Sequence, residues 1–415
     1  MALAHRDYRR LIASQLLSLT GSQMQVVAIN WHVYLLTRSP LALGFVGLTR
    51  VLPIIGFSLW GGLVADRNDR RRVMVATQTA MTAVALALAG VTYFERETLW
   101  LLYTLNALGA AAVAFDGPSR QALIPRLVPQ EDLPGALSLN LSVFQASLIG
   151  GPALSGLLIA QSGPGTRGLS LIYLINAVSF LAVIFALVTM RTSGAPEPAE
   201  GKVQMSSALL EGLRFVFTTP IMVWTMGLDF LATFFSGATS LLPIFADQVL
   251  HVGARGYGIL AAAPAVGALA GALYLSIRPL PDRQGRIFLW AVIAYGASTV
   301  IFGFSRSFWL TLVALAGVGL SDAISTVIRQ TIRQFVTPDR LRGRMTSINM
   351  IFFMGGPQLG ELEAGLVASL FASTVVGVTV SVVSGGVATI ALTAAIAAAA
   401  PAVRRYDYRR PETIV

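Results

Sequence analysis

The chain has 415 residues, of which 55% are hydrophobic and only 12% charged, with a formal net charge of +10. A soluble domain carries about 25% charge, so this composition excludes a soluble protein with a membrane anchor and describes a polytopic helical membrane protein. Cysteine is absent and histidine occurs three times, at His5, His32 and His251, which excludes disulfides and thiol catalysis and argues against a Cys- or His-rich metal site.

The basic excess belongs to cytoplasmic turns rather than to a nucleic-acid surface. Arg6, Arg9 and Arg10 lead into a long apolar run, without the short apolar core and small-residue cleavage site of a signal peptide. A span needs about 20 apolar residues. Twelve are predicted: 11–36, 41–65, 73–94, 98–119, 137–160, 169–190, 219–246, 256–277, 286–304, 308–330, 346–370 and 373–399.

In span 1, Ser14, Gln15, Ser18, Ser22, Gln25 and His32 fall within about 100° of one another at 3.6 residues per turn. Span 2 carries Arg50 at a depth from which snorkelling is hard. It either pairs with a buried acid or meets an anionic substrate. Gly61-Gly62-Leu63-Val64-Ala65-Asp66-Arg67-Asn68-Asp69-Arg70-Arg71-Arg72 follows, with six charges in its last seven positions. Such a run cannot lie in hydrocarbon and marks a tight turn, and its four arginines place that turn in the cytoplasm. Asp66 is suited to capping the start of span 3 or a neighbouring helix, where the dipole favours negative charge. Near the inner end of span 4, Asp116 and Arg120 stand one turn apart, a spacing that allows a pair, and a gating role is expected for them. In span 5, Gly151, Pro152 and Gly156 imply a kink and close packing against a partner helix.

The longest connection, 191–218, opens with a flexible Ser193–Pro198 segment. From Ser206 to Thr218 it continues as an amphipathic helix on the inner membrane surface, with Leu209, Leu210, Leu213 and Phe217 on one face. It divides the chain into two six-span halves, 1–190 and 219–415. In span 7, Thr225, Asp229, Thr233, Ser236 and Ser240 share about 80° of arc. Asp229 lies about 15 Å along the span. A carboxylate there is desolvated and can take and release a proton. The alternative is a fixed ion pair, with Arg50 as a partner at similar depth. Asp322, Ser325, Thr326, Arg329 and Arg333 form a stripe in span 10, and Glu361 and Glu363 in span 11 are rivals to Asp229 as proton carriers. Each such residue costs at least ~2.5 kcal/mol in lipid, so the stripes line a cavity or act as polar glue between helices.

The halves repeat. Arg120-Gln121 and Ser138-Leu139-Asn140 recur 209 residues later as Arg329-Gln330 and Ser347-Ile348-Asn349. Asp66-Arg67-x-x-Arg70 recurs as Asp282-Arg283-x-x-Arg286, and Gly151-Pro152-x-x-x-Gly156 is echoed by Gly356-Pro357-x-x-Gly360. Together these matches indicate a parallel two-fold repeat. With both ends cytoplasmic, external turns hold five of the 30 Lys and Arg residues, Arg50 lies within a span, and the other 24 fall on the inner side.

Gly62-Leu63-Val64-Ala65-Asp66-Arg67-Asn68-Asp69-Arg70-Arg71-Arg72 resembles the loop 2–3 signature of the major facilitator superfamily, with Asp69 in place of its second glycine. Gly151-Pro152-x-x-Ser155-Gly156 resembles the span-5 signature of that superfamily's antiporters, with Ser replacing one glycine. The stretch from Phe115-Asp116-Gly117-Pro118-Ser119-Arg120-Gln121 through Asn140 looks like the subgroup holding the enterobactin exporter and related macrolide and multidrug efflux proteins. The resemblance implies an all-α fold of twelve transmembrane helices in two pseudo-symmetric six-helix bundles, with spans 1, 7 and 10 lining a central cavity. It implies a switch at Gly62, Asp66, Arg67, Arg70, Asp282 and Arg283. Asp66, held by Arg67 and Arg70, would latch onto the inner end of span 11, and span 5 would pack on Gly267 and Gly271 of span 8.

The expected function is export of a small amphipathic molecule, drug- or siderophore-like, by proton antiport across the inner membrane of a bacterium. The expected partners are that substrate, protons and membrane lipids, acting on a monomer without cofactor. Only one lysine is present, Lys202, and no phosphate-binding Gly-x-x-x-x-Gly-Lys loop. ATP-driven transport is therefore not expected, nor is enzymatic catalysis. A proton-coupled importer or uniporter, a lipid transporter of the same fold, and a non-transporting sensor or scaffold are the alternatives.

Overall fold

The computed structural model describes residues 2–163, 165–195, 214–277, 283–338 and 342–407, without the side chains of Leu59 and of most of 342–354. Twelve long helices occur among the described residues: α1 (Arg6–Thr37), α2 (Pro40–Arg67), α3 (Arg70–Tyr93), α4 (Leu99–Leu123), α5 (Leu133–Gln161), α6 (Leu169–Val188), α7 (Pro220–Phe235), α8 (Gly253–Ile277), α9 (Gln284–Phe304), α10 (Phe308–Val336), α11 (Arg342–Ser369) and α12 (Thr374–Ala399). Ten of the twelve belong to stretches long and apolar enough to cross a membrane; α1 and α11 do not. The polar stripe from Ser14 to His32 dilutes the first, and Gln358, Glu361 and Glu363 dilute the second.

Span 7 departs from the expected continuous helix. α7 stops at Phe235, and Ser236 leaves helical geometry. After Gly237 come a 3₁₀ turn (Ala238–Leu241), a single turn over Leu242–Ile244 and a π-turn (Phe245–Val249). Gly237 sits where an added methyl would lie 2.9 Å from the Pro357 carbonyl oxygen and 3.0 Å from Gly360 Cα. Only a residue without Cβ lets the broken helix come this close to α11. The expected amphipathic helix is helical over residues 214–218; the rest of it, with Lys202, lies outside the described residues.

Contacts divide the chain into two compact units. The first comprises Met1–Arg38, Phe45–Glu200 and Val252–Ala262; the second comprises Ser39–Gly44, Gly201–His251 and Ala263–Val415. In the first unit the principal helix pairings are α1 with α5 and α6, and α3 with α4 and α6. In the second they are α7 with α11 and α12, α9 with α10 and α12, and α11 with α12. Adding six to each label of the first set gives four of these five pairings, which is the internal repeat expressed as packing; the close pairing of α11 with α12 has no counterpart of similar extent between α5 and α6. A further equivalence lies at the start of the third helix of each unit. The Arg70 amide donates to the Gly194 carbonyl at 3.0 Å, and the Gly285 amide donates to the Tyr406 carbonyl at 3.2 Å. The chain leaving each sixth helix thus returns to bond the start of the third.

Each unit has a large apolar core drawn from several of its helices. In the first, Tyr8, Leu11, Met74, Leu123, Val143, Val183 and Leu187 pack together, and the Tyr8 hydroxyl donates to the Ala136 carbonyl at 2.7 Å. In the second, Met222, Leu228, Phe288, Ile332, Val403 and Tyr406 do so.

The turn between α2 and α3 corrects the expected cap. Asp69, not Asp66, is the N-cap of α3, accepting the amide protons of Arg71 at 2.9 Å and Arg72 at 3.3 Å. Asp66 is exposed. A cap removed from such a position costs about 1 kcal/mol. Asp69→Ala is therefore expected to lower the thermal unfolding midpoint of the detergent-solubilised protein, whereas Asp66→Ala leaves it in place. Equal midpoints for the two variants would contradict the assignment.

Candidate functional site

In the second unit, α7 and α10 bring their polar stripes together. Asp229, Thr233, Asp322 and Ser325 line a small pocket of about 10 Å³ with Ala232, Val292 and Tyr295. At its edge the Arg329 guanidinium pairs through Nη1 with Asp229 Oδ2, and its Nη2 stands 3.7 Å from Asp322 Oδ1. The same Nη2 donates to the Thr326 hydroxyl at 2.8 Å, and Nε donates to the Ser325 carbonyl at 3.3 Å. One guanidinium is thus forked between two carboxylates in different surroundings. The Asp229 and Arg329 side chains are each 10% exposed, whereas that of Asp322 is 43% exposed. Within its own unit, Asp229 is paired with Arg329. Ser236 turns away from this pocket. Its hydroxyl lies 2.9 Å from that of Thr389 and 3.5 Å from the Gly385 carbonyl, both on α12.

In the first unit a larger cavity of about 100 Å³ is lined by Ser22, Gln25, Arg50, Asn106 and Asn176 among apolar residues that include Ile54, Met81 and Phe180. The Asn176 amide donates to Gln25 Oε1 at 2.8 Å, and the Asn106 amide donates to the Thr49 hydroxyl at 2.9 Å. Of the predicted span-1 and span-2 residues, Ser22, Gln25 and Arg50 reach this cavity. Ser18 and His32 are buried outside its lining. Asn106 and Asn176 were missed, although polar side chains within spans 4 and 6 meet the same criterion that singled out span 1.

The acids of α11 are half-buried. Glu361 Oε1 accepts a weak bond from the Thr239 hydroxyl at 3.4 Å, and Glu363 Oε2 is buried with no hydrogen-bond partner among the described residues.

The expected gating residues take other partners than those anticipated. Asp116 is buried and accepts from the Thr77 hydroxyl and the Gln78 amide, both at 3.0 Å. Arg120 donates instead to Gln15 Oε1 at 2.8 Å. The one-turn pair does not form, because α1 and α3 offer each residue a neutral partner. Arg67 is exposed. Arg70 reaches the Ala122 carbonyl at 3.4 Å, at the end of α4, and not Asp66. Arg71 donates to the Met190 and Val188 carbonyls at 2.9 and 2.7 Å, satisfying groups left open at the end of α6. Among the signature glycines, a methyl at Gly62 meets nothing, whereas one at Gly61 meets the backbone of Ala114 and Phe115 on α4. Asp282 lies outside the described residues, as do the side chains at the inner end of α11 to which Asp66 was expected to latch. Arg283 is the N-cap of α9, in left-handed geometry and without a side-chain cap.

Ser155 donates to the Met24 carbonyl at 3.0 Å, joining α5 to α1. A methyl at Gly156 would lie 2.6 Å from Gly258 Cα. Gly258, on the portion of α8 that belongs to the first unit, therefore takes the role expected of Gly267 and Gly271. Those two pack on α10, against Ala316 and against Leu320 and Ala323.

A family described as transmembrane secretion effectors matches residues 1–410. The chain belongs to this family of the major facilitator superfamily. It is similar to the enterobactin exporter EntS of Shigella boydii serotype 18, with 24% identity over 87% of this chain and 85% of that one. EntS of Escherichia coli O1:K1 / APEC matches with the same identity and coverage. Among solved structures, a POT family transporter in complex with 5-aminolevulinic acid matches with a TM-score of 0.75, 11% identity and 96% coverage of both chains. A bacterial homologue of the human lysosomal transporter Spinster matches with a TM-score of 0.74, 14% identity and 97% coverage of both. The chain is thus a multi-pass membrane transporter of the major facilitator type, with the twelve-helix fold of that superfamily.

Proposed function

We propose that this transporter exports a small amphipathic organic molecule, drug- or siderophore-like, by proton antiport with alternating access. It would work across the inner membrane of a bacterium, with both termini in the cytoplasm. The observation that carries the reading is the fork of Arg329 between Asp229 and Asp322. With both carboxylates ionised, the fork holds one negative charge in excess; one proton removes it. Isolated charge is costly in a low-dielectric pocket, so the pocket has two states that differ by a proton. The Asp322 side chain is 43% exposed and that of Asp229 is 10% exposed, and both line the pocket with Ala232 and Val292. Arg333 continues the basic stripe one turn along α10, and Tyr295 faces the pocket from α9. A cation on the substrate or a change in α7–α10 packing would drive the proton off, which is the exchange that antiport requires.

The export direction is supported by the family description and by the relatives' names. An amphipathic substrate is supported by the first unit's cavity, where four polar side chains and Arg50 are set among apolar ones.

Everted vesicles from an efflux-deficient host test the reading. Addition of a transported drug, dye or siderophore is expected to release protons from wild-type vesicles. Asp229→Asn vesicles are expected to release no more than vesicles without the protein. If Asp229→Asn transports normally at every pH, Asp229 is not the proton carrier.

A further inference from the structure

Away from the Asp229 fork, the first unit holds a second buried cluster of titratable groups. His32 lies near the end of α1, its side chain fully buried. Glu97 lies in the connection between α3 and α4, two residues before α4 begins, with a side chain only 5% exposed. His32 Nε2 faces Glu97 Oε1 at 3.6 Å. That exceeds hydrogen-bond length. His32 Nδ1 lies 3.1 Å from the Tyr173 hydroxyl on α6, and the Thr166 hydroxyl donates to Glu97 Oε1 from the connection between α5 and α6. Two atoms remain unsatisfied among the described residues: Glu97 Oε2 and His32 Nε2, both buried.

A buried polar atom left without a partner costs about 1–3 kcal/mol. Four separate elements have therefore been brought together to leave an acid and a base facing each other without a hydrogen bond between them. One proton resolves this. Placed on the imidazole it creates an ion pair of His32 Nε2 with Glu97 Oε1, and placed on Glu97 Oε2 it removes the buried negative charge. The surrounding charges do not substitute for it. Glu95, Arg96 and Arg167 are exposed, and Arg167 is engaged with Glu95 at 3.5 Å and lies over the Tyr93 ring.

We propose that His32 and Glu97 form a second proton-binding site of this transporter, separate from the Asp229 fork and built into the first unit. The site rests on the antiport reading only for its use in transport; the binding of a proton stands on the cluster alone. Its output runs along α1. Gln25, which lines the cavity, is two turns away, about 10 Å at 1.5 Å per residue. Trp31, the neighbour of His32, stacks on Tyr257 at 5.5 Å. The Tyr257 hydroxyl donates to the Val27 carbonyl at 3.4 Å. Protonation at His32 thus acts on the helix that carries both a cavity wall and the docking surface for residues 252–262.

The chain has three histidines, so the site can be read directly. The full-length protein, labelled with ¹⁵N-histidine and held in lipid nanodiscs, is titrated by NMR. His32 is assigned by its loss in His32→Gln. The expected result is that His32 changes protonation state between about pH 4 and 9, and that its midpoint moves by about one unit or more in Glu97→Gln, since an opposite charge at this range shifts a neighbour by that amount. His5 and His251 stay where they are. The proposal is overturned if His32 keeps one protonation state throughout, or if Glu97→Gln leaves its midpoint unmoved. In parallel, transport by Glu97→Gln is expected to have an altered pH profile with proton release retained at the Asp229 site. If Asp229→Asn transports normally while His32 still titrates with Glu97, the assignment of the proton to Asp229 fails and the His32–Glu97 site stands.

Discussion

Arg329→Ala is expected to be the most damaging single substitution in the second unit. It removes the cation that bridges Asp229 and Asp322 and leaves a carboxylate that is 10% exposed without that partner. Breaking a buried pair from one side costs about 3–5 kcal/mol, because the remaining charge stays desolvated. That is a large part of the total stability of a folded protein. The expected outcome is a marked loss of folded protein, seen as low recovery of the monodisperse species in size-exclusion chromatography and a lowered thermal midpoint. The informative comparison is the double variant Asp229→Asn with Arg329→Gln. Both charges are then gone and the amides can still bond, so stability is expected to return while substrate-driven proton release does not. If Arg329→Ala alone were as stable as wild type, the fork would not be an energetic unit and the proton reading would lose its structural basis.

The stripe containing these residues was visible in the sequence because charged and polar side chains stand out in an apolar span. Asp229, Asp322 and Arg329 were all legible on that ground. Their pairing was not. Asp229 and Arg329 are 100 positions apart, and helical phase says which way a residue faces without saying which helix it faces. Depth alone made Arg50 a reasonable partner; the adjacency of α7 and α10 supplies Arg329 as one. Glu97 was missed for a related reason. It lies in a short connection beside exposed Glu95 and Arg96, and nothing in that run distinguishes the one side chain that folds inward onto His32 and Thr166. At the signature turn, the motif was legible and the division of labour within it was not. Asp66 and Asp69 have the same chemistry, but only Asp69 directly precedes the first turn of α3. Arg71, read as a topology marker, closes the end of α6 because that helix terminates beside it. The repeat was a faithful signal, since four of the principal helix pairings recur at equivalent positions in both units.

Alanine substitutions along α5 are expected to separate packing from transport. A methyl at Gly150 meets nothing within 4 Å. Gly150→Ala is therefore expected to be neutral or to stabilise slightly, by up to about 1 kcal/mol from helix propensity. At Gly151 the methyl would lie 2.9 Å from the Thr20 carbonyl oxygen and 3.2 Å from the Met24 amide nitrogen, both backbone atoms of α1. At Gly156 it would lie 2.6 Å from Gly258 Cα and 2.8 Å from the Ala254 carbonyl oxygen. Backbone cannot rotate out of the way as a side chain can, so in both cases the helices must separate, at a cost of about 1–3 kcal/mol. The consequences differ because the partners differ. α1 and α5 are packed along their length within the first unit, so Gly151→Ala is expected to lower the thermal midpoint while transport per folded molecule is kept. Gly156 meets the first turns of α8, at Ala254 and Gly258. On the alternating-access reading proposed above, this contact is made and released during the transport cycle. A bias of 1–3 kcal/mol against it would change the population of the contacting state by about 5- to 150-fold. Gly156→Ala is thus expected to reduce transport per folded molecule in proteoliposomes by more than its loss of stability explains. If Gly151→Ala and Gly156→Ala depress transport equally at matched folded protein, the glycine at 156 serves packing alone, and the direction of transport must be argued without it.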